Sequence, residues 1–212
     1  MYSSIKAYLL DLDGTLVASE PLKGRALADT CRKYGGEITA AAYIEVMGED
    51  WPTVTRHFFS CAGIQPCPDA FNADFRERYL ALLDEGVELT EGVASFISHA
   101  RARGIRLALV SSAAPWMVER ILARLDLVEA FDLVITQEHV TRHKPDPEAY
   151  LLALRKLGLA AQDVLVFEDS AAGLRAAAGA GCTSIVVRHA FNVRHDLSLA
   201  RREISSFLQL LD

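Results

Sequence analysis

The sequence is short of the features that would take it outside ordinary globular proteins. Its four cysteines, Cys31, Cys61, Cys67 and Cys182, form no C-x-x-C pair, so neither a disulfide framework nor a thiolate zinc site is expected, and free buried thiols are the default. Gly and Pro number only 13 and 7, which excludes collagen-like and Pro/Gly-rich chains. No run approaches the roughly 20 apolar residues that would cross a bilayer. Positive charge is outnumbered, 22 Lys and Arg against 28 Asp and Glu, and the net charge of -6 works against nonspecific binding to phosphate backbones or anionic membranes. The N-terminal MYSSIKAYLLDLDGT carries acids where a signal peptide would carry its cleavage site. A cytoplasmic protein without nucleic-acid or membrane partners is expected.

What is present is 51% hydrophobic and 24% charged over 212 residues, enough for one domain or one domain with a small insert. Short apolar runs recur at IKAYLLD from Ile5, Ile105 to Ser111, Phe131 to Thr136, Val164 to Phe167 and Thr183 to Val187, as buried parallel strands would. Helical patterns fall between them at Gly92 to Arg103, Pro115 to Leu125, Pro147 to Leu157 and Ala171 to Ala180. The alternation predicts an α/β fold, a Rossmann-like parallel sheet with helices on both faces and its ligand site at the carboxyl ends of the strands. One segment breaks the pattern. Pro21 to Asp84 reads as four amphipathic helices, Leu22 to Tyr34, Thr39 to Met47, Trp51 to Ala62 and Asp69 to Asp84, an all-helical cap inserted after the first strand and able to act as a lid. Residues 1–18 and 87–212 would form the core domain and 19–86 the cap.

Chemistry-bearing residues collect at the strand ends. Asp11-Leu12-Asp13-Gly14-Thr15 follows the first strand, and two carboxylates at i and i+2 can reach one site where Gly14 lets the chain turn. Alone, this is a D-G turn with solvated acids. A calcium loop is a poor fit, because Leu22 stands where the bidentate Glu belongs. Ser111-Ser112 closes the second strand, Lys144 follows the third in HKPDP, and Glu168-Asp169-Ser170 ends the fourth. Separately they read as a helix cap, a solvated lysine and an N-cap. Together they fall on the one face where such a sheet builds its site, and paired acids ending an apolar run are costly unless a cation or hydrogen bonds hold them.

With these motifs in order, DLDGT at 11–15, VSS at 110–112, KPDP at 144–147 and EDSAAG at 168–173, the chain resembles the haloacid dehalogenase superfamily, in its branch of phosphatases and β-phosphoglucomutase-like proteins with a helical cap. The resemblance implies Asp11 as nucleophile forming an aspartyl-phosphate and Asp13 as general acid and base. It implies Ser111, with Ser112, and Lys144 as phosphoryl-binding groups, and Mg2+ held by Asp11, the Asp13 carbonyl, Glu168 and Asp169. A hard cation and a lysine would cancel the repulsion between carboxylate and phosphate. Glu20, Lys23 and Trp51 are the implied substrate contacts of the cap. The implied activity is Mg2+-dependent hydrolysis of a small sugar or polyol phosphate by a monomer or weak homodimer.

An acid at position 13 separates this pattern from the dehalogenases. Lys23 and Trp51 stand where phosphohexomutase relatives carry a His and a basic residue, which favours hydrolysis over the mutase alternative. Val17-Ala18-Ser19-Glu20 lacks the acid that relatives usually have after the first motif. A non-catalytic binding protein of the same fold is opposed by the presence of both Asp11 and Asp13. His139 and His143 have helical ligand spacing, but no acid completes a zinc set. No G-x-S-x-G elbow supports a serine hydrolase.

Overall fold

The computed structural model describes residues 5–211. Residues 1–4 of the stretch weighed above as a leader, and Asp212, lie outside the described residues. The chain divides into two compact units, one made of the segment ending at Ala18 together with that from Glu88 onward, the other of Ser19–Val87.

The elements run β1 (Ala7–Leu10), α1 (Glu20–Lys33), α2 (Trp51–Ala62), α3 (Pro68–Gly86), α4 (Val93–Ala102), β2 (Arg106–Val110), α5 (Pro115–Arg124), β3 (Leu133–Ile135), α6 (Glu148–Leu157), β4 (Val164–Glu168), α7 (Ala171–Gly179), β5 (Thr183–Val187) and β6 (Arg202–Ile204). In the larger unit the strands form one sheet in the order β3-β2-β1-β4-β5-β6, and every pairing is parallel. The chain builds outward from β1 to β3, then returns to the other side of β1 with β4. That reversal makes the crevice between β1 and β4 the topological switch point, where open sheets of this kind hold ligands.

Alternation along the strands sorts side chains between two layers of helix. Leu9, Ala108, Val110 and Val166 pack with Ala149, Tyr150 and Ala153 of α6 and Ala176 and Ala177 of α7. On the other face Tyr8 and Phe167 meet Phe96 of α4 and Phe207 near the C-terminus, with ring centroids 4.9 to 5.5 Å apart. β4 is buried along its whole length, as a strand covered on both faces must be, so Glu168 at its end and Asp169 just beyond it are shielded from water.

The smaller unit is helical. Phe71, Phe75 and Tyr79 recur every fourth residue on α3 and are buried, which gives that helix one apolar face. Polar ties join it to α1: Arg78 Nε donates to Asp29 at 2.8 Å, and Lys33 Nζ and Tyr34 Oη donate to Asp74 at 2.6 and 2.8 Å. The helix expected over Thr39 to Met47 is instead a 3-10 segment, Ala40–Glu45. Only Tyr43 of that segment is buried, and one anchor is too little to extend an α-helix past its costly first turn. The strand β6 has no apolar run in the sequence to mark it, because two of its three residues are exposed and a short charged edge carries no apolar pattern.

All four cysteines are free, Cys31 and Cys182 buried and Cys61 and Cys67 exposed. Burial pushes the thiols of Cys31 and Cys182 up to about 11, so they are protonated at neutral pH as well as shielded. A thiol reagent at pH 7.5 is therefore expected to modify two cysteines in the native protein and four after denaturation. Rapid reaction of all four in the native state would contradict the packing.

Candidate active site

Register places the acids side by side. Leu10 pairs with Leu109 on one side and Phe167 on the other, so the next residue of each strand, Asp11, Val110 and Glu168, emerges at the same edge of the sheet. The main chain of Asp11 is still tied to the sheet, its N–H donating to the Phe167 carbonyl at 2.9 Å. Beyond it the chain turns. Leu16 N–H donates to Leu12 O, Gly14 N–H donates to Val17 O, and half-buried Asp13 sits within that turn.

Lys144 is the hub. Its Nζ donates to Asp11 Oδ1 at 2.6 Å, to Glu168 Oε1 at 2.6 Å and to the Val110 carbonyl at 2.9 Å. The ammonium also lies 5.1 Å from the centre of the Tyr150 ring, within cation–π range. Burial by itself would lower the lysine's proton affinity, but the Asp11 and Glu168 charges outweigh it and hold Lys144 above its ordinary value, so it is a fixed cation. Asp11 is displaced upward too, which in a carboxyl disfavours the charged form. Burial raises it well above the usual range, and the Glu168 and Asp169 charges raise it further against the pull of Lys144.

Glu168 is saturated with donors. Oε1 accepts from Lys144 and from Tyr150 Oη at 2.8 Å, and Oε2 accepts from the N–H groups of Asp169 and Ser170 and from Ser170 Oγ. Burial and the nearby Glu168 and Asp11 charges raise Tyr150 well above an ordinary phenol, so its hydroxyl keeps its proton and donates. Gly173 in the first turn of α7 makes the room, since a Cβ there would overlap the Glu168 carboxylate. Ser170 caps α7 by accepting from Gly173 N–H at 3.0 Å, an ordinary N-cap that also serves the acid beside it.

Asp11, Glu168 and Asp169 each offer an oxygen within 4.8 Å of the others, and all three are buried. Three formal negative charges against one ammonium leave a deficit of two, and hard carboxylate oxygens are the donors that Mg2+ takes. The residues present therefore fit a divalent cation. Asp13 is not a member of this side-chain group.

Ser111, buried at the end of β2, stays hydrogen-bonded to the sheet through its N–H to Ile135 O at 2.9 Å, and its Oγ accepts from Ala113 N–H at 3.0 Å. Ser112 is exposed. Lys144 reaches the cluster from a loop pinned by Glu148, which accepts from the Thr141 and Arg142 main chain at 3.0 Å each. Glu20, Lys23 and Trp51 belong to the smaller unit. There Lys23 Nζ lies 3.8 Å from Glu20 Oε1, and Trp51 donates from Nε1 to Asn72 Oδ1 at 2.9 Å with its ring 4.6 Å from that of Phe75. His139 is a local cap, its Nδ1 accepting from Thr136 N–H at 3.0 Å, and no group of metal-holding residues among those described includes it or His143.

Three further residues belong to the site. Tyr150 reads as an ordinary core position of α6, and only its hydroxyl distinguishes it. His189 and Asn192 follow β5, where the rule that flagged the other strand ends applies equally. His189 Nε2 lies 3.0 Å from Asp169 Oδ2, and Asn192 donates to the Asp169 carbonyl at 2.9 Å.

Residues 8–187 match the family model described as haloacid dehalogenase-like hydrolase. The chain is 36% identical over 183 residues to hexitol phosphatase A of Escherichia coli, covering 86% of this chain and 82% of that one. It is 31% identical over 189 residues to the phosphorylated carbohydrates phosphatase of Thermotoga maritima, covering 89% and 88%. Among solved structures, CbbY from Rhodobacter sphaeroides in complex with phosphate superimposes with a TM-score of 0.87 at 31% identity, over 97% of this chain and 96% of that one.

Proposed function

The chain belongs to the haloacid dehalogenase-like hydrolases as a phosphoric monoester hydrolase, and we propose that it cleaves small sugar or polyol phosphates with Mg2+, through an aspartyl-phosphate on Asp11. The observation that carries this reading is the Lys144 ammonium held 2.6 Å from both Asp11 and Glu168 at the switch point of the sheet. A carboxylate is a poor attacker of an anionic phosphate until nearby positive charge cancels the repulsion, and here that charge is built into the fold. Sugar and polyol esters are the proposed class because the hexitol and carbohydrate phosphatases are relatives over most of the chain.

In this mechanism Asp11 attacks phosphorus in line with the ester oxygen. Asp13 protonates that oxygen as the P–O bond breaks, so the first product leaves as a neutral alcohol. Asp13 then takes a proton from the water that attacks the phosphorus, which restores the Asp11 carboxylate and releases inorganic phosphate. Lys144 neutralises charge on Asp11 and on the transferring group throughout, with Ser111 and the N–H groups after it receiving phosphoryl oxygens. Mg2+ held by the Asp11 and Asp169 carboxylates, with Glu168 and the Asp13 carbonyl, would supply further positive charge at those oxygens. Glu168 already accepts five hydrogen bonds, so aiming Lys144 is its larger task. Glu20, Lys23 and Trp51 are proposed to select the sugar. The four free thiols suit the reducing cytoplasm, the proposed location.

The test is phosphate release from a panel of hexitol, hexose and pentose phosphates by the purified protein. Turnover is expected with Mg2+ and is expected to fall by at least about 100-fold in excess EDTA, given the weight electrostatic stabilisation carries in phosphoryl transfer. Undiminished activity in chelator would contradict the metal reading. Phosphorus NMR showing hexose 1-phosphate converted to hexose 6-phosphate faster than phosphate is released would replace hydrolysis by mutase chemistry.

A further inference from the structure

Past the end of β5 the chain makes a tight turn over residues 189–192 that is held together by hydrogen bonds of its own. His189 N–H donates to Asn192 Oδ1 at 3.1 Å, Asn192 N–H donates to His189 O at 3.2 Å, and Phe191 N–H donates to His189 Nδ1 at 3.2 Å. Asn192 is fully buried. Its amide donates to Val187 O at 2.8 Å and to Asp169 O at 2.9 Å, so the turn is fastened to β5 on one side and to the main chain of Asp169 on the other.

This frame sets the tautomer of His189. Because Nδ1 accepts a main-chain N–H, its lone pair is engaged, and the ring proton resides on Nε2. Nε2 lies 3.0 Å from Asp169 Oδ2, so a neutral imidazole donates to that oxygen and leaves the charge of the carboxylate intact. Gly14 closes the other side. At φ +73 it lies so near that a Cβ would overlap Asp169 Oδ2 and crowd His189 Nε2. The turn after β1, the end of β4 and the turn after β5 thus meet on one carboxylate oxygen.

We propose that His189 is a positioning residue for Asp169, locking one carboxylate oxygen so that the other is presented, already oriented, to the cation held with Asp11. The proposal rests on the reading of Asp169 as a metal ligand. A carboxylate whose rotation is already arrested loses less freedom when it binds an ion, and hydrogen-bond partners of metal ligands are commonly worth 10- to 100-fold in affinity. A neutral donor suits this task better than a lysine or arginine, which would cancel the charge that attracts the metal.

The experiment is a Mg2+ titration of metal-free protein, followed by calorimetry and by the shift in melting temperature, with unfolding in EDTA measured in parallel. His189→Phe fills similar space but cannot donate, and its Kd for Mg2+ is expected to rise by about 10- to 100-fold. His189→Gln keeps an N–H near the place of Nε2 and is expected to recover most of the affinity. In turnover assays the Mg2+ concentration giving half-maximal rate should rise in His189→Phe far more than kcat at saturating Mg2+ falls. A purely structural role would lower the melting temperature in EDTA and leave Kd unmoved. A folded His189→Phe protein whose Kd stays within about twofold of the wild type overturns the proposal, being well short of the usual effect of such partners. If His189→Phe does not fold, His189→Asn replaces it, because its shorter amide can satisfy Phe191 but not reach Asp169, and equal Mg2+ affinity in the Asn and Gln variants overturns the proposal. Wild-type protein that binds no Mg2+ overturns the metal reading and this inference with it, an outcome distinct from wild-type binding that the substitutions leave unchanged.

Discussion

Asp11→Asn is expected to lower turnover by at least about ten-thousand-fold, the scale on which loss of an enzyme's nucleophile is felt. The substitution keeps the shape of the side chain and an oxygen to accept from Lys144, now at 2.6 Å from Oδ1. It removes the charge and the basic oxygen that would form the bond to phosphorus. The fold should survive. Burial and the adjacent Glu168 and Asp169 charges already raise Asp11 well above the usual carboxylate range, so neutralising it relieves repulsion while weakening one ion pair, and the two effects oppose each other. The expected result is a protein with native circular dichroism, a melting temperature in EDTA within a few degrees of the wild type, and no phosphate release above background. Activity within tenfold of the wild type, in a preparation free of contaminating phosphatase, would remove Asp11 from the role of nucleophile.

Lys144→Met is expected to harm both stability and rate. Methionine nearly matches the length of lysine, so the loss is chiefly electrostatic, leaving Asp11, Glu168 and the Val110 carbonyl without the donor that satisfies all three. Breaking a buried ion pair from one side typically costs about 3 to 5 kcal/mol, which should be measurable by urea unfolding in EDTA at pH 7.5. The direction with pH follows. Asp11 is already raised by burial and by its acidic neighbours against the pull of Lys144, and without the lysine it rises further. A carboxyl whose folded value exceeds its unfolded value stabilises the fold at low pH and loses that contribution as pH rises through the folded value. The variant should therefore lie closest to the wild type in mild acid and fall furthest behind it at neutral pH and above. Saturating Mg2+ should restore part of the stability, because the cation supplies the missing positive charge. In the rate, loss of one fixed stabilising group at a phosphoryl centre is worth about 100- to 1,000-fold in kcat. A stability within 1 kcal/mol of the wild type in EDTA at pH 7.5 would show that the buried carboxylates do not depend on Lys144.

These expectations draw on features that the sequence discloses unequally. The acids at 11, 13, 168 and 169 are conspicuous because each pair interrupts a short apolar run, and the parallel-sheet reading sends all strand ends to one edge. Helices on both faces of a parallel sheet follow from the same runs, whereas the strand order β3-β2-β1-β4-β5-β6 does not. What the acids do there is not visible in one dimension. Glu168 reads as a metal ligand by its place beside Asp169, and nothing in one dimension shows that its oxygens also accept from Lys144, Tyr150, Ser170 and two main-chain N–H groups, partners as much as 24 residues away. Tyr150 occupies an apolar face of α6, and its hydroxyl matters only because β4 ends beneath it. His189 and Asn192 lie in a segment with no apolar period, and their contact with Asp169 exists only once β4 and β5 are paired. The failure over residues 39–47 has the opposite cause. Alanine-rich sequence favours helix locally, yet a single buried anchor, Tyr43, leaves nothing to hold a longer one.

The central claim is that phosphoryl transfer passes through Asp11, and Asp13→Asn gives the most direct view of it. With p-nitrophenyl phosphate the leaving group departs without needing a proton, so the first step continues in this variant, while attack by water loses its general base and slows. Rapid acid quench followed by peptide mass spectrometry should then show a burst of one equivalent of nitrophenol per protein, with one phosphoryl group on the peptide that contains Asp11. Nitrophenol released with no burst, from protein whose Asp11 peptide is unmodified at every time point, would contradict the covalent mechanism.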